Sequence, residues 1–276
     1  MDAFIADDGE SIHVAVSGDG PAIVMLHGWT ASHTEWAPLV HALSKDHAVY
    51  RWDARAHGGH APTTGTVPSV QRMAHDLRNF LGHYRLRSPV LVGHSMGVLT
   101  IWEYVRTFGT AGLGRLCLID QSPKLVTDGQ WPGGIYGDFD ARRADALVEE
   151  MRRNFPESVL RLAAYGLNAR ARRKYDEDAR GWRLAREALR KLPPEPLIQA
   201  WLTLTAADYR DVLGRIAVPV LLVYGAESNF YGSRTAEYVR NSIPGAQLRI
   251  YEGADHSPHQ CEPERFVREL LAFVAG

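Results

Sequence analysis

Short apolar runs alternate with longer segments of helical period through most of this 276-residue chain. The alternation extends from residue 12 to residue 251 and is typical of a mostly parallel β-sheet covered by helices on both faces. The runs that predict strands are 12–16, 22–26, 48–53, 90–93, 116–120, 220–225 and 248–251. We therefore expect the α/β class, with a mostly parallel, doubly wound sheet.

Helical signals lie between these runs. Val70, Met73 and Leu77 recur at helical spacing, and Leu81 continues the series. Ser32 and Glu35 have the spacing of a capping box, which predicts a helix from there to about residue 43.

The alternation stops between residues 122 and 213, where helical stretches lie around 144–153, 157–167 and 182–191. This predicts an inserted helical cap over 122–213 and a core built from 1–121 and 214–276. Residues 140–191 contain fourteen Arg or Lys against nine Asp or Glu. We attribute this excess to solvated helix faces, because charge runs usually have that origin, and an anionic substrate is the alternative.

The charge and cysteine content exclude several classes of partner. A formal net charge of -1 provides no basic field for nucleic acid or for an anionic membrane. The two cysteines, Cys117 and Cys261, make no disulfide framework, which favours a reducing compartment. No basic, apolar leader and no apolar stretch of about 20 residues is visible. We expect a cytoplasmic protein with a small-molecule partner, and neither nucleic acid nor membrane; the composition predicts no oligomeric state.

The segment PVLVGHSMGVLTIWEY at 89–104 runs from an apolar strand through a tight turn into a helix. Its centre, Gly93-His94-Ser95-Met96-Gly97, is a G-x-S-x-G nucleophile elbow in the required strand–turn–helix context. Glycines on either side of a strained serine let the neighbouring chains approach closely. Ser95 is therefore the predicted nucleophile, at the carboxyl edge of the sheet and beside a helix N-terminus.

With this motif the chain resembles the α/β-hydrolase superfamily over nearly its whole length. The run Leu26-His27-Gly28-Trp29 is similar to the oxyanion loop of that superfamily. The resemblance implies that the backbone N–H groups of Trp29 and Met96 form the oxyanion hole, which stabilises charge on the substrate carbonyl oxygen.

The run 53–58, DARAHG, resembles the D-x-R-G-H-G stretch of the superfamily, with Ala56 in place of the usual glycine. The resemblance implies a scaffold role. His27 and His57 raise the question of a metal site, but both match structural positions of the superfamily and lack carboxylate or cysteine partners in the motif. We expect neither a metal nor a cofactor.

Residues 252–258, EGADHSP, are similar to the histidine loop of the superfamily, which implies that His256 is the general base. Two residues are candidates for the carboxylate that pairs with His256, because Ser228 stands where most members carry this acid. Glu227 lies one residue earlier. Asp120 ends the preceding strand, where one subgroup of haloalkane dehalogenases carries its acid. We prefer Asp120, since its backbone position needs no shift, and Glu227 is the alternative.

A serine at the elbow argues against the chemistry of haloalkane dehalogenases and epoxide hydrolases, which use aspartate there. The resemblance implies a serine hydrolase that cleaves an ester, lactone or related carbonyl bond of a small, largely apolar molecule through an acyl-enzyme. Thioester cleavage, carbon–carbon hydrolysis and perhydrolysis use the same residues. A biosynthetic lyase, cyclase or dehydratase is the alternative, followed by a non-catalytic small-molecule receptor.

Overall fold

One eight-stranded sheet forms the centre of the protein. The computed structural model describes residues 1–276. In chain order the strands are β1 (Asp2–Ile5), β2 (Ser11–Ser17), β3 (Ala22–Leu26), β4 (Ala48–Asp53), β5 (Val90–His94), β6 (Arg115–Ile119), β7 (Val220–Gly225) and β8 (Gln247–Tyr251).

The strands lie in the order β1-β2-β4-β3-β5-β6-β7-β8. β1 pairs antiparallel with β2 and β2 antiparallel with β4, whereas every later pairing is parallel. The predicted mostly parallel sheet is confirmed. β1 was not predicted, because it is a four-residue edge strand in which only Phe4 is buried, too short to show a period of two.

Apolar residues alternate between the two faces of the sheet. Met25, Val92 and Ile119 belong to one core, together with apolar residues of α1 (Ala37–Leu43) and of α12 (Pro263–Ala275), which follows the short helix α11 (Pro258–Cys261). Leu91 and Leu118 belong to a larger core on the opposite face. That core includes residues of α2 (Val70–His83), α3 (Met96–Phe108) and α10 (Ser233–Ser242). Both faces are therefore covered by helices, as a doubly wound sheet requires.

No helix of the chain is long and apolar enough to cross a membrane. Six of the helices lie between β6 and β7 in the sequence. They are α4 (Ala141–Arg153), α5 (Phe155–Ala164), α6 (Ala169–Asp176), α7 (Arg180–Leu189), α8 (Pro194–Ala206) and α9 (Arg210–Leu213). Three overlap the predicted helical stretches. The assignment of residues 122–213 as a separate cap stays a prediction.

The predicted capping box at Ser32 is wrong. Ser32 caps a single 3₁₀ turn, His33–Trp36, and its hydroxyl accepts a hydrogen bond from the Thr34 N–H. The Glu35 carboxylate accepts instead from the backbone N–H of Gly28, at 2.9 Å. The local spacing was correct for a capping box, but partners distant in sequence determine where Glu35 points.

Ala56 occupies a left-handed backbone conformation, with φ at 64°, and is buried. Such a conformation costs an L-residue about 1 to 2 kcal/mol. Glycine removes this cost, but its larger conformational entropy in the unfolded state offsets part of the gain. We expect Ala56→Gly to raise the free energy of unfolding by about 0.5 to 1 kcal/mol, measured by denaturant unfolding.

Ala54 provides the matched control for this substitution. It is equally buried, and its φ is not positive. Ala54→Gly should therefore lower the free energy of unfolding, because glycine brings only an entropic cost there. If both substitutions destabilise the protein alike, the backbone at Ala56 is not strained.

Candidate active site

Two loops meet at the centre of the sheet, where the order of the strands reverses. β3 lies between β4 and β5, so the connection after β3 leads to its neighbour on one side and the connection after β4 leads back to its neighbour on the other side. Leu26 and Gly93 are register partners at the ends of these strands. The loop after β3 and the turn after β5 therefore border one crevice at the carboxyl edge, where ligands bind in sheets of this type.

Ser95 stands in this crevice with a strained backbone, at φ 52° and ψ -115°. A Cβ at Gly97 would overlap the backbone carbonyl of Leu26, and a Cβ at Gly93 would lie 2.8 Å from the backbone of Gly97. Only glycine fits at either position. This close packing of β3, β5 and α3 holds the serine in a conformation that it would otherwise avoid.

The imidazole of His256 lies next to a buried carboxylate. Its Nδ1 is 2.9 Å from Oδ1 of Asp120. The same carboxylate accepts a hydrogen bond from the Gly225 N–H and another from the Ser228 hydroxyl, both at 2.8 Å. Because a carboxylate only accepts, Nδ1 of His256 carries the proton and Nε2 is left free to accept one.

The two candidate acids are placed very differently. Asp120 is fully buried, with φ at 44°, at the end of β6. Glu227 is exposed, and its hydrogen bonds are made by its backbone, to Ala254 and Asn168. Ser228, in the place where most of the superfamily carries the acid, hydrogen-bonds Asp120. Thus Asp120 lies beside His256, and the catalytic role of each carboxylate stays a prediction.

Burial lowers the pKa of His256 below the ordinary value for histidine. Its hydrogen bond to Asp120 opposes this effect, and the nearby His94 reinforces it. His256 is therefore neutral at neutral pH, the form that a general base needs. Its ring also packs edge-to-face on that of Phe230, with the two centroids 4.5 Å apart.

The two predicted oxyanion donors lie in the same crevice. Met96 is the first residue of α3, so its N–H has no partner inside the helix. The Trp29 N–H makes no hydrogen bond within the chain. The Trp29 indole donates to the Leu197 carbonyl of α8 at 2.9 Å and packs on Trp201, which fixes this loop. That the two N–H groups bind an oxyanion stays a prediction.

A cavity of about 780 Å³ opens over Ser95 and His256. It is lined by 32 residues, 18 of them hydrophobic. The sheet edge contributes Gly28, Trp29 and Met96, whereas α5, α7 and α8 contribute half of the hydrophobic lining residues. The site is therefore accessible to a small molecule with a sizeable apolar part.

The histidines considered for a metal site are engaged in the scaffold. Nδ1 of His27 lies 2.7 Å from the Gly28 carbonyl, and its Nε2 accepts the Ala54 N–H. Nδ1 of His57 lies 2.9 Å from the Arg55 carbonyl. The guanidinium of Arg55 pairs with the buried carboxylate of Asp76. These contacts hold the loop after β4 in place.

Three side chains that are buried together beside the site were not predicted from the sequence to form a group. Glu35, His94 and His259 bring their polar atoms within 4.8 Å of one another. Such a set could hold a metal ion, but one hydrogen bond between Glu35 and His259 and a 2.6 Å contact between Glu35 and His94 already account for the arrangement. Nothing in the sequence joins positions 35, 94 and 259, so no motif could have found them.

The chain is similar in sequence to known proteins over most of its length. Residues 23–269 match the model of the Alpha/beta hydrolase family. The chain is 27% identical over 262 residues to a pimeloyl-[acyl-carrier protein] methyl ester esterase of Nitrosomonas europaea, covering 93% of this chain and 97% of that one. It is also 27% identical to a non-heme haloperoxidase of Rhodococcus erythropolis, covering 99% of both.

Among solved structures, the esterase EaEST from Exiguobacterium antarcticum superposes with a TM-score of 0.86 at 24% identity, covering 99% of both chains. This similarity shows a shared fold. The family model covers most of the chain, including the elbow and the histidine loop. The chain therefore belongs to the alpha/beta hydrolase family.

Proposed function

We propose that this protein is a serine esterase that hydrolyses a carboxylic ester with an apolar acyl group. The observation that carries the proposal is that Ser95 and His256 line one largely apolar cavity, with the buried Asp120 next to Nδ1 of His256. A strained nucleophile, a neutral imidazole and an ionisable partner are what acyl transfer needs. The named esterases among the relatives support the same chemistry.

In the first half-reaction the Ser95 hydroxyl attacks the ester carbonyl while Nε2 of His256 takes its proton. The carbonyl oxygen becomes an oxyanion, which the N–H groups of Trp29 and Met96 stabilise. Asp120 keeps the Nδ1 proton of His256 in place and stabilises the imidazolium. The imidazolium then protonates the leaving alkoxide, and the alcohol departs from the acyl-enzyme.

In the second half-reaction a water molecule replaces the alcohol. His256 takes a proton from this water, which attacks the acyl carbon and forms a second oxyanion in the same place. Collapse of this intermediate returns the proton to Ser95 and releases the carboxylic acid. The same residues act in both half-reactions, so no further acid or base is required.

The cavity wall indicates the acyl group. Leu160, Leu189 and Leu204 line the part formed by the helices between β6 and β7. Burying each methylene of an acyl chain against such a wall is worth about 0.8 kcal/mol. We therefore assign the apolar wall to the acyl chain and expect a small alcohol as leaving group.

A series of p-nitrophenyl esters from acetyl to decanoyl tests this assignment. The kcat/KM value should rise with chain length while the cavity accommodates the chain. Ala163 of α5 lines the cavity, and Ala163→Phe should lower kcat/KM for the longer esters about tenfold more than for acetate.

Ala169→Phe on α6 is the matched control, because this alanine is exposed and does not line the cavity. It should leave the chain-length profile unchanged. Failure to hydrolyse any ester of the series would contradict the proposed function. An equal loss on acetate and decanoate in Ala163→Phe would contradict only the placement of the acyl chain.

A further inference from the structure

His94 precedes the nucleophile and is almost fully buried, yet the proposed mechanism does not use it. Its Nε2 lies 2.9 Å from the backbone carbonyl of His256. Its Nδ1 lies 2.6 Å from Oε1 of Glu35. Nε2 is therefore hydrogen-bonded, whereas Nδ1 makes a close contact with the carboxylate oxygen that is not aligned as a hydrogen bond.

The partners of these nitrogens decide the protonation state of the ring. A backbone carbonyl only accepts hydrogen bonds, so Nε2 of His94 must carry a proton. An unprotonated Nδ1 would leave a lone pair 2.6 Å from a carboxylate oxygen of Glu35. Such a contact is repulsive unless the carboxyl group itself holds the proton. Glu35, however, accepts a hydrogen bond from the Gly28 N–H at Oε2, and its Oε1 lies 3.0 Å from Nε2 of His259. Three nitrogen atoms around one carboxyl group stabilise its ionised form, so we place the proton on His94.

We propose that His94 is a buried imidazolium and a positioning residue, which with Glu35 joins the oxyanion loop, the nucleophile elbow and the histidine loop. This inference rests on the proposed function for its consequences in catalysis, but the protonation state can be measured without substrate. The cluster acts on three loops. Glu35 holds Gly28 next to Trp29, His94 is covalently joined to Ser95, and its Nε2–H holds the backbone of His256.

The charge balance of the surroundings agrees with this assignment. The groups that face His94 are Glu35, His256, His259 and, farther away, Asp120. Burial disfavours the cation, but the Glu35 carboxylate outweighs it, and the pKa of His94 is raised. The pKa of Glu35 is lowered well below its usual value in spite of burial, through His94 and His259. Burial lowers the pKa of His259 to about 4, so this third ring is neutral.

The fixed cation has a consequence for the general base. A positive charge near His256 disfavours its imidazolium and lowers its pKa. Activity requires neutral His256 and is lost as the pH falls through that pKa. The cation is present below the pKa of His94 and is lost as the pH rises through it. Hence His94 extends activity toward lower pH.

The direct test is ¹⁵N NMR of the wild-type protein labelled at histidine, with His94→Gln used for assignment. Both ring nitrogens of His94 should show the shift of a protonated nitrogen at pH 7. A signal from an unprotonated nitrogen of His94 would overturn the proposal, whether or not the protein hydrolyses esters. A stoichiometric bound metal at this cluster would also overturn it.

The kinetic test compares His94→Gln with the wild type over a range of pH. We expect kcat to fall at least about tenfold with KM nearly unchanged, because misplaced loops affect the transition state most. The acid limb of kcat/KM should move up by about one pH unit, since the cation no longer opposes protonation of His256. A merely structural loss would not move the acid limb.

Glu35→Gln supplies a second variant that keeps the shape of the side chain and removes its charge. His94 should then lose a proton in the NMR spectrum, and the acid limb should shift in the same direction. His75→Gln is the control, because His75 is a half-buried histidine on α2 that packs on Phe108, outside the cluster. Wild-type kcat and an unmoved acid limb in both cluster variants would overturn the positioning role.

Discussion

Ser95→Ala is expected to lower kcat for ester hydrolysis by about 10⁴- to 10⁶-fold, because the hydroxyl oxygen is the atom that attacks the carbonyl. The change removes one oxygen at a site that faces the cavity, so core packing is kept. Circular dichroism should therefore show a folded protein. Residual activity within tenfold of the wild type would exclude the serine mechanism.

The same variant distinguishes the proposed esterase from the alternatives. An organophosphonate or sulfonyl fluoride should add to Ser95 and increase the intact mass by one adduct, and Ser95→Ala should show none. A lyase or receptor would use the cavity and His256 without a nucleophilic serine. The absence of any adduct on the wild type, together with activity or ligand binding that Ser95→Ala retains, would favour those alternatives.

Asp120→Asn is expected to lower kcat by about 10⁴-fold, which is the loss known for the same change in a serine-protease triad. An amide keeps the shape of the carboxylate but can present an N–H to Nδ1 of His256. The ring then favours the tautomer with its proton on Nε2, which cannot accept the proton of Ser95. Kinetics with a short ester measure the loss.

Glu227→Gln is the matched comparison, because it makes the same chemical change in the exposed carboxylate. It should cost little activity. The opposite pattern, with Glu227→Gln inactive and Asp120→Asn nearly normal, would show that the acid follows β7. Since Asp120 also accepts from Gly225 and Ser228, circular dichroism must confirm that Asp120→Asn folds.

The sequence was sufficient wherever the signal was local. The parallel sheet follows from apolar runs that alternate with helical periods, and the elbow follows from five consecutive residues around Ser95. The loop that carries His256 was located in the same way, and the catalytic role of this histidine stays a prediction. The ends of one strand were also predicted correctly, because the apolar run 220–225 coincides with β7.

Contacts between distant residues could not be predicted. Ser32 and Glu35 have the spacing of a capping box, yet Glu35 lies against Gly28, His94 and His259, whose positions depend on the assembled sheet. The choice between Asp120 and Glu227 had the same origin. Each carboxylate follows a strand that ends at the correct edge, and only the fold shows which one lies beside His256.

Ser95, Asp120 and Ala56 all hold positive φ angles at the carboxyl edge, and this places the stability and the activity of the protein in competition. Selection for thermal stability alone would favour glycine at 56 and 95, whereas at 120 glycine would leave the Gly225 N–H and the Ser228 hydroxyl without their buried acceptor. At position 56 such a change touches no reacting group, whereas at 95 and 120 it would remove the nucleophile and the carboxylate. Laboratory evolution for heat resistance will therefore accumulate inactive survivors at the active site unless turnover is selected in every round.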